Sequence, residues 1–94
     1  MGNPIKEKSY KFAIRIVNLC KYLNEEKSEY ILSKQLLRSG TSIGANVAES
    51  QAAQSNADFI NKLNIALKET LESKYWIELL TETNYLTIEH ANHY

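Results

Sequence analysis

This sequence of 94 residues contains little that would break a helix or cross-link the chain. It has one proline and three glycines, and no useful run in which apolar and polar residues alternate. These absences exclude an extensive β-sheet and predict an all-α fold in one small domain. The single cysteine, Cys20, excludes an intrachain disulfide. Its position on the apolar side of the first predicted helix indicates a buried small side chain.

Long apolar runs are also missing. No segment approaches the roughly 20 apolar residues of a membrane-spanning helix. Residues 1–9 are too polar to form the apolar core of a signal peptide. We therefore expect a cytoplasmic protein.

The sequence has no excess of positive or negative charge, because its formal net charge is +0. No global field directs the protein toward nucleic acid or a membrane surface. The charges are nevertheless unevenly placed, with an excess of basic residues near the N-terminus. Lys8, Lys11 and Arg15 gather on one face of the first predicted helix. They are candidate phosphate contacts, and a solvated helix face is the alternative interpretation.

Apolar residues at helical spacing predict an up-down antiparallel four-helix bundle in which the fourth helix is short or truncated. The helices are expected at about 5–24, 28–53, 56–83 and from about 87 onward.

Capping residues support the predicted helix starts. Asn3 followed by Pro4 suits the first helix, Ser28 the second, Ser55 the third and Thr87 the fourth. The fourth helix has barely begun when the sequence stops, which leaves an apolar groove between helices 1 and 3. We expect that groove to be covered by further chain or by a neighbouring subunit.

The second predicted helix organises the rest, because it has three different faces. A polar stripe is formed by Gln35, Ser39, Ser42, Asn46 and Glu49. Beside it lies an apolar face of Leu32, Leu36, Ile43 and Val47. Beyond that is a small-residue strip, with Gly40, Gly44 and Ala48 as close-packing residues and Thr41, Ala45 and Ala52 alongside.

Glycine inside a helix is about 1 kcal/mol less favourable than alanine. Close approach of another helix would offset this unfavourable free energy of glycine in a helix. A helix break at either glycine is the alternative interpretation, and the unbroken apolar period favours a continuous helix.

The polar stripe is the best candidate for a site, and three interpretations apply to it: helix packing or oligomer contacts, a binding surface, or catalysis. Catalysis is the weakest of the three, since the stripe has neither a histidine nor a second carboxylate for acid–base chemistry. Arg38 lies next to it and could pair with Glu49, with Asp58 or with a neighbouring subunit; a phosphate contact is the alternative.

Other familiar sites are lacking. Residues 40–44 do not match a phosphate-binding loop, because no Lys-Ser/Thr follows the last glycine. His90 and His93 are expected to form part of a solvated tail rather than a metal site. The sequence predicts no cofactor, metal, catalytic residue or small-molecule substrate.

Three segments resemble one known family. They are residues 8–13 (KSYKFA), 29–50 (EYILSKQLLRSGTSIGANVAES) and 58–70 (DFINKLNIALKET). Polar and small residues agree with the family pattern as well as apolar ones. The chain, over roughly residues 5–85, is similar to the four-helix bundle proteins related to the 23S rRNA intervening-sequence protein.

The resemblance implies a bacterial up-down bundle that assembles as a ring, most often a homopentamer, with a largely unassigned role. A similar bundle serves as a nucleic-acid-binding accessory protein beside a reverse transcriptase. The first functional hypothesis is therefore a non-enzymatic assembly or interaction module. The second is an accessory protein that binds RNA or DNA, possibly with a reverse transcriptase or ribosome, through Lys8, Lys11, Arg15 and Arg38.

Overall fold

The computed structural model describes residues 3–93, with residue 93 described through its backbone only. This part of the chain forms four helices and no strand, so the all-α prediction is confirmed. The helices are α1 (Pro4–Lys27), α2 (Leu32–Ser50), α3 (Asn56–Glu82) and the short α4 (Ile88–His93). None of the described helices combines the length and the apolar character that crossing a membrane requires.

The predicted caps of α1 and α3 are confirmed, as is Thr87 at the start of α4, where its Oγ1 accepts from the backbone N–H of His90. The Asn3 side chain accepts hydrogen bonds from the backbone N–H groups of Ile5 and Lys6, and Pro4 occupies the first turn of α1. The Ser55 side chain accepts from the backbone N–H of Asp58 at 3.1 Å. These caps satisfy amides that have no carbonyl partner within their own helix.

The predicted cap of α2 is wrong. Ser28 is the C-cap of α1, in the left-handed region with φ 51°, and α2 begins at Leu32. Glu29 performs the capping instead, although its side chain is only 6% exposed. Its carboxylate accepts from the backbone N–H groups of Ile31 (3.0 Å), Leu32 (2.7 Å) and Ser33 (2.7 Å).

A carboxylate at this position has two advantages over a serine hydroxyl. Its two oxygens serve three amides at once, and its negative charge lies at the positive end of the helix dipole. This explains why a charged group stays buried beside α2.

Helix α2 lies between α1 and α3. Contacts with α1 pair residues in reverse order along the two helices: Asn3 with Gln51, Ser9 with Gly44, Ile16 with Gly40 and Cys20 with Ser33. Contacts with α3 are also in reverse order: Glu49 with Lys62, Ser39 with Ser73 and Arg38 with Glu69 and Glu72. Over the described residues, no Cα atom of α1 comes within 8 Å of one in α3.

The apolar core fills the space between these three helices. Its buried members are Ile16, Leu19, Cys20, Leu23, Leu36, Ile77, Leu80 and Leu86. Leu86 belongs to the connection between α3 and α4, and Ala91 of α4 packs against the same cluster. The first turn of α4 thus covers one end of the core.

Both glycines of α2 lie within a continuous helix, as predicted. A Cβ on Gly40 would lie 2.8 Å from Cγ2 and 2.9 Å from Cγ1 of Ile16. A Cβ on Gly44 would lie 3.2 Å from the backbone carbonyl oxygen of Ser9. The missing side chains therefore let α1 approach α2 closely, which offsets the low helix propensity of glycine.

We expect Gly40→Ala to destabilise the protein by about 1 kcal/mol, although alanine is the better helix former. The added methyl group overpacks against Ile16, whose side chain is fully buried. Chemical denaturation would measure the change. The control is the same substitution in an Ile16→Ala background, where both clashing γ-carbons are gone and alanine should stabilise. A wild-type protein stabilised by Gly40→Ala would contradict this account.

Substitution of the α2 cap, Glu29→Gln, should lower the free energy of unfolding by roughly 1–2 kcal/mol. Glutamine keeps one acceptor oxygen but loses the charge and the second acceptor. Glu25→Gln, on the exposed end of α1, is the matched control and should change stability by less than about 0.5 kcal/mol. Equal changes in the free energy of unfolding for the two substitutions would contradict a stabilising role for the buried Glu29 cap.

Candidate functional site

The centre of the polar stripe is an internal contact between α2 and α3. Ser39 is fully buried, and the hydroxyl of Ser73 donates a hydrogen bond to its Oγ at 2.9 Å. Ser73 is 1% exposed. Two small polar side chains thus satisfy each other where the two helices meet.

The other members of the stripe do not converge on a common point. Ser42 Oγ donates to the backbone carbonyl of Arg38 at 2.7 Å, and Asn46 Nδ2 donates to that of Ser42 at 2.9 Å. Gln35 is exposed. Glu49 accepts from Lys62 Nζ at 3.1 Å, and this hydrogen bond raises the pKa of the Lys62 ammonium. The stripe therefore joins α2 to α3 and adds side-chain hydrogen bonds to backbone carbonyls within α2.

Arg38 forms the main charged link between α2 and α3. Its Nη1 donates to Glu69 Oε2 at 2.8 Å, and its Nη2 donates to Glu72 Oε2. Trp76 Nε1 donates to the same Glu72 oxygen at 2.9 Å. The expected partners Glu49 and Asp58 are thus wrong. Glu49 lies about three helical turns further along α2, where it pairs with Lys62, and Asp58 lies in the first turn of α3.

The electrostatics of this cluster agree with its geometry. The hydrogen bond with Glu72, followed by that with Glu69, raises the pKa of the Arg38 guanidinium. The hydrogen bond from Trp76, followed by that from Arg38, lowers the pKa of Glu72. Arg38 keeps half of its side chain exposed, yet its donors already face two carboxylates. A phosphate at Arg38 would have to compete with both.

Sequence reasoning missed Glu69 and Glu72 as a pair. Their spacing of three residues does place them on one side of α3. Which turn of α3 lies opposite Arg38 depends on the register between α2 and α3, and a single sequence does not reveal that register. The indole N–H of Trp76 joins this cluster as well.

The small-residue strip is not one contact face. Gly40 and Gly44 lie against α1, whereas Ala48 and Ala45 are exposed on the outer side of α2. Close packing of Ala48 against another helix, which the sequence predicts, is not seen within the chain, where Ala48 is exposed; a contact with a neighbouring subunit stays a prediction.

An open groove of about 590 Å³ lies at the other end of the molecule from α4. Its lining consists of Ile5, Lys8, Ser9, Lys11, Phe12 and Arg15 from α1, Ile43 from α2 and Thr70 from α3. Lys8, Lys11 and Arg15 form what we call the basic wall. Arg38 does not line this groove, so the four candidate phosphate contacts are not brought together.

Cys20 is buried, with 4% of its surface exposed, as predicted. Its thiol donates to the backbone carbonyl of Ser33 at 3.3 Å. Burial, followed by the charge of Glu29, raises the pKa of the thiol to about 11. A thiol that stays protonated is a poor nucleophile and metal ligand.

Metal-ligating side chains do not cluster in the part of the chain that the structure describes: no group of three or more histidines, cysteines or carboxylates could hold an ion there. His90 instead contacts Tyr22 and Thr87. The side chain of His93 lies outside the described residues.

Comparison with known proteins identifies a family and a close structural relative. The model of the family described as 23S rRNA-intervening sequence protein matches residues 3–94. A crystal structure from Bacteroides thetaiotaomicron, of a protein with unknown function from the S23 ribosomal protein family, is 61% identical, with a TM-score of 0.94. The similarity covers 95% of this chain and 82% of that one. No curated protein matches the chain.

Neither description names a reaction, a substrate or a ligand. Both agree with the helical fold, and the family model spans all three of the segments in which the sequence resembles the family. The chain belongs to the 23S rRNA-intervening sequence protein family.

Proposed function

We propose that this protein is a non-enzymatic assembly or interaction module of the cytoplasm. Its helices form an up-down antiparallel four-helix bundle, and copies of the bundle associate in a ring, for which a homopentamer is the expected size. The observation that carries this proposal is a row of large apolar side chains left in water along α3.

This apolar row consists of Ile60, Leu67, Leu71 and Tyr75, which are 56%, 58%, 62% and 57% exposed. Their spacing of seven and four residues places them along one side of α3. Glu69 and Glu72, which bind Arg38 of α2, lie on the opposite side. Fully burying a leucine side chain is worth roughly 1.5–3 kcal/mol, so a surface of this kind favours a helix from another protein chain.

A second apolar patch supports a ring rather than a symmetric dimer. Tyr10, Ile14 and Val17 of α1 are 67%, 46% and 36% exposed. Because α2 separates α1 from α3, this patch and the apolar row belong to opposite edges of the molecule. An interface between two different surfaces repeats head to tail, and it closes into a ring when the rotation permits.

Binding of RNA or DNA is the second candidate function, and the basic wall favours it. Lys8, Lys11 and Arg15 line one groove over about two turns of α1. A ring would repeat this wall with its own symmetry, so that a modest cluster becomes an extended positive surface. Arg38 lies outside this groove, and both of its terminal nitrogens already bind carboxylates of α3.

Leu67→Glu should disrupt the assembly, since it places a charge in the middle of the apolar row. Light scattering coupled to size exclusion would show the wild type at a multiple of the 10.8 kDa chain mass, near fivefold for a pentamer. The variant should fall toward the monomer mass with unchanged helical circular dichroism.

The matched control is Asn61→Glu, which adds the same side chain at an exposed position of α3 off the apolar row. It should leave the oligomer mass unchanged. A wild type that is monomeric at high concentration, or a Leu67→Glu variant that keeps the wild-type mass, would overturn the assembly proposal.

Titration against labelled single- and double-stranded RNA and DNA at two salt concentrations tests the second candidate. For each phosphate that the basic wall neutralises, the logarithm of the binding constant should fall by about 0.7–0.9 for every tenfold rise in salt concentration. The double variant Lys8→Ala/Lys11→Ala should bind at least tenfold more weakly. Lys21→Ala/Lys34→Ala removes the same charge elsewhere and should have a much smaller effect. Absence of wild-type binding at low salt would eliminate this candidate and leave the assembly proposal intact.

A further inference from the structure

The start of α4 is held by a reciprocal pair of hydrogen bonds that involves a histidine. The hydroxyl Oγ1 of Thr87 accepts from the backbone N–H of His90 at 3.1 Å. In return, Nδ1 of His90 accepts from the backbone N–H of Thr87 at 3.3 Å. This is the arrangement of a capping box, in which glutamate or glutamine ordinarily occupies the position that His90 has here.

Histidine makes this capping box sensitive to protonation, whereas glutamine would not. Nδ1 can accept the Thr87 N–H only when it carries no proton, which requires the neutral ring with its proton on Nε2. Protonation turns Nδ1 into a donor that faces another donor. It also places a positive charge at the N-terminus of α4, where the helix dipole is unfavourable to cations. Both effects destabilise the start of α4 when His90 is protonated.

His90 also links α4 to α1. Its ring lies 5.2 Å from that of Tyr22, centroid to centroid, with an interplanar angle of 56°. On either side of the capping box, Leu86 and Ala91 pack against the apolar core, as in a hydrophobic staple. The same residue therefore fixes the start of the helix and contacts the surface on which the helix lies.

We propose that His90 makes the docking of α4 on α1 dependent on pH. With a neutral ring, the capping box closes and α4 lies against Tyr22 and the core. When the ring takes up a proton, the capping box opens and α4 detaches, which exposes the apolar surface that Leu86 and Ala91 cover. Histidine is the side chain whose charge ordinarily changes between about pH 5 and 8.

Titratable side chains that neighbour His90, or its contact Tyr22, along the chain include Glu26 on α1, Glu82 on α3, Tyr85 in the connection and Glu89 on α4. The three carboxylates are exposed. Within residues 3–92, none of them forms an ion pair with His90.

Nuclear magnetic resonance on the whole chain between about pH 5 and 8 would test the proposal. The readouts are the Cα secondary shifts of residues 88–92, which report helix, and the nuclear Overhauser effects between Tyr22 and His90. In the wild type, both should decline as the pH is lowered and His90 takes up a proton. The expected change is a roughly tenfold fall in the ratio of docked to detached α4, from the combined loss of cap and dipole energy.

Two variants separate His90 from the chain's other histidine. His90→Gln restores a pH-independent acceptor and should keep α4 docked across the range, while His93→Gln should titrate like the wild type. His90→Glu, an ordinary capping box, is the substitute if the glutamine variant folds poorly. The proposal is overturned if the wild-type helix shifts stay constant through the His90 titration, or if His90→Gln loses helix at the same pH as the wild type.

Discussion

The close approach of α1 to α2 is the constraint on which the rest of the structure depends. The carbonyl oxygen of Ser9 lies 3.2 Å from the point that a Cβ on Gly44 would occupy, and Ile16 fills the corresponding space at Gly40. Any side chain at either glycine would push the helices apart. Ile16 and Leu36, both fully buried, would then no longer share one core with α3. The glycines thus determine the thickness of the core as well as one helix contact.

The other contact of α2 is built from different chemistry. Ser39 meets Ser73 within the interface, and Arg38 bridges to two carboxylates at its edge. One helix therefore presents glycine to α1, serine and arginine to α3, and leucine to the core between them. Most of the residues that make the α2 sequence distinctive are used inside the chain. The family resemblance in this segment accordingly reflects how the fold is held together.

The caps at the helix starts show which features can be predicted from residues that are close in sequence. Asn3 and Ser55 cap their helices as the sequence predicts, because a cap involves amides only two or three residues away. The prediction that Ser28 caps α2 was wrong for an equally local reason. Two candidate hydrogen-bond acceptors, Ser28 and Glu29, are adjacent, and Ser28 adopts the left-handed backbone conformation that ends α1. The buried position beside α2 favours Glu29, whose carboxylate reaches three amides. Burial of that kind comes from packing and has no local signature.

The sequence by itself determined the all-α fold, the continuity of α2 through its glycines and the burial of Cys20. Each follows from periodicity or from hydrogen bonds that span a few residues. Only the tertiary structure decided that Arg38 binds Glu69 and Glu72, that Ala48 is exposed, and that the apolar row on α3 remains exposed. Those outcomes depend on the register and rotation of one helix against another, which are fixed by the packing of the whole core and not by any short segment.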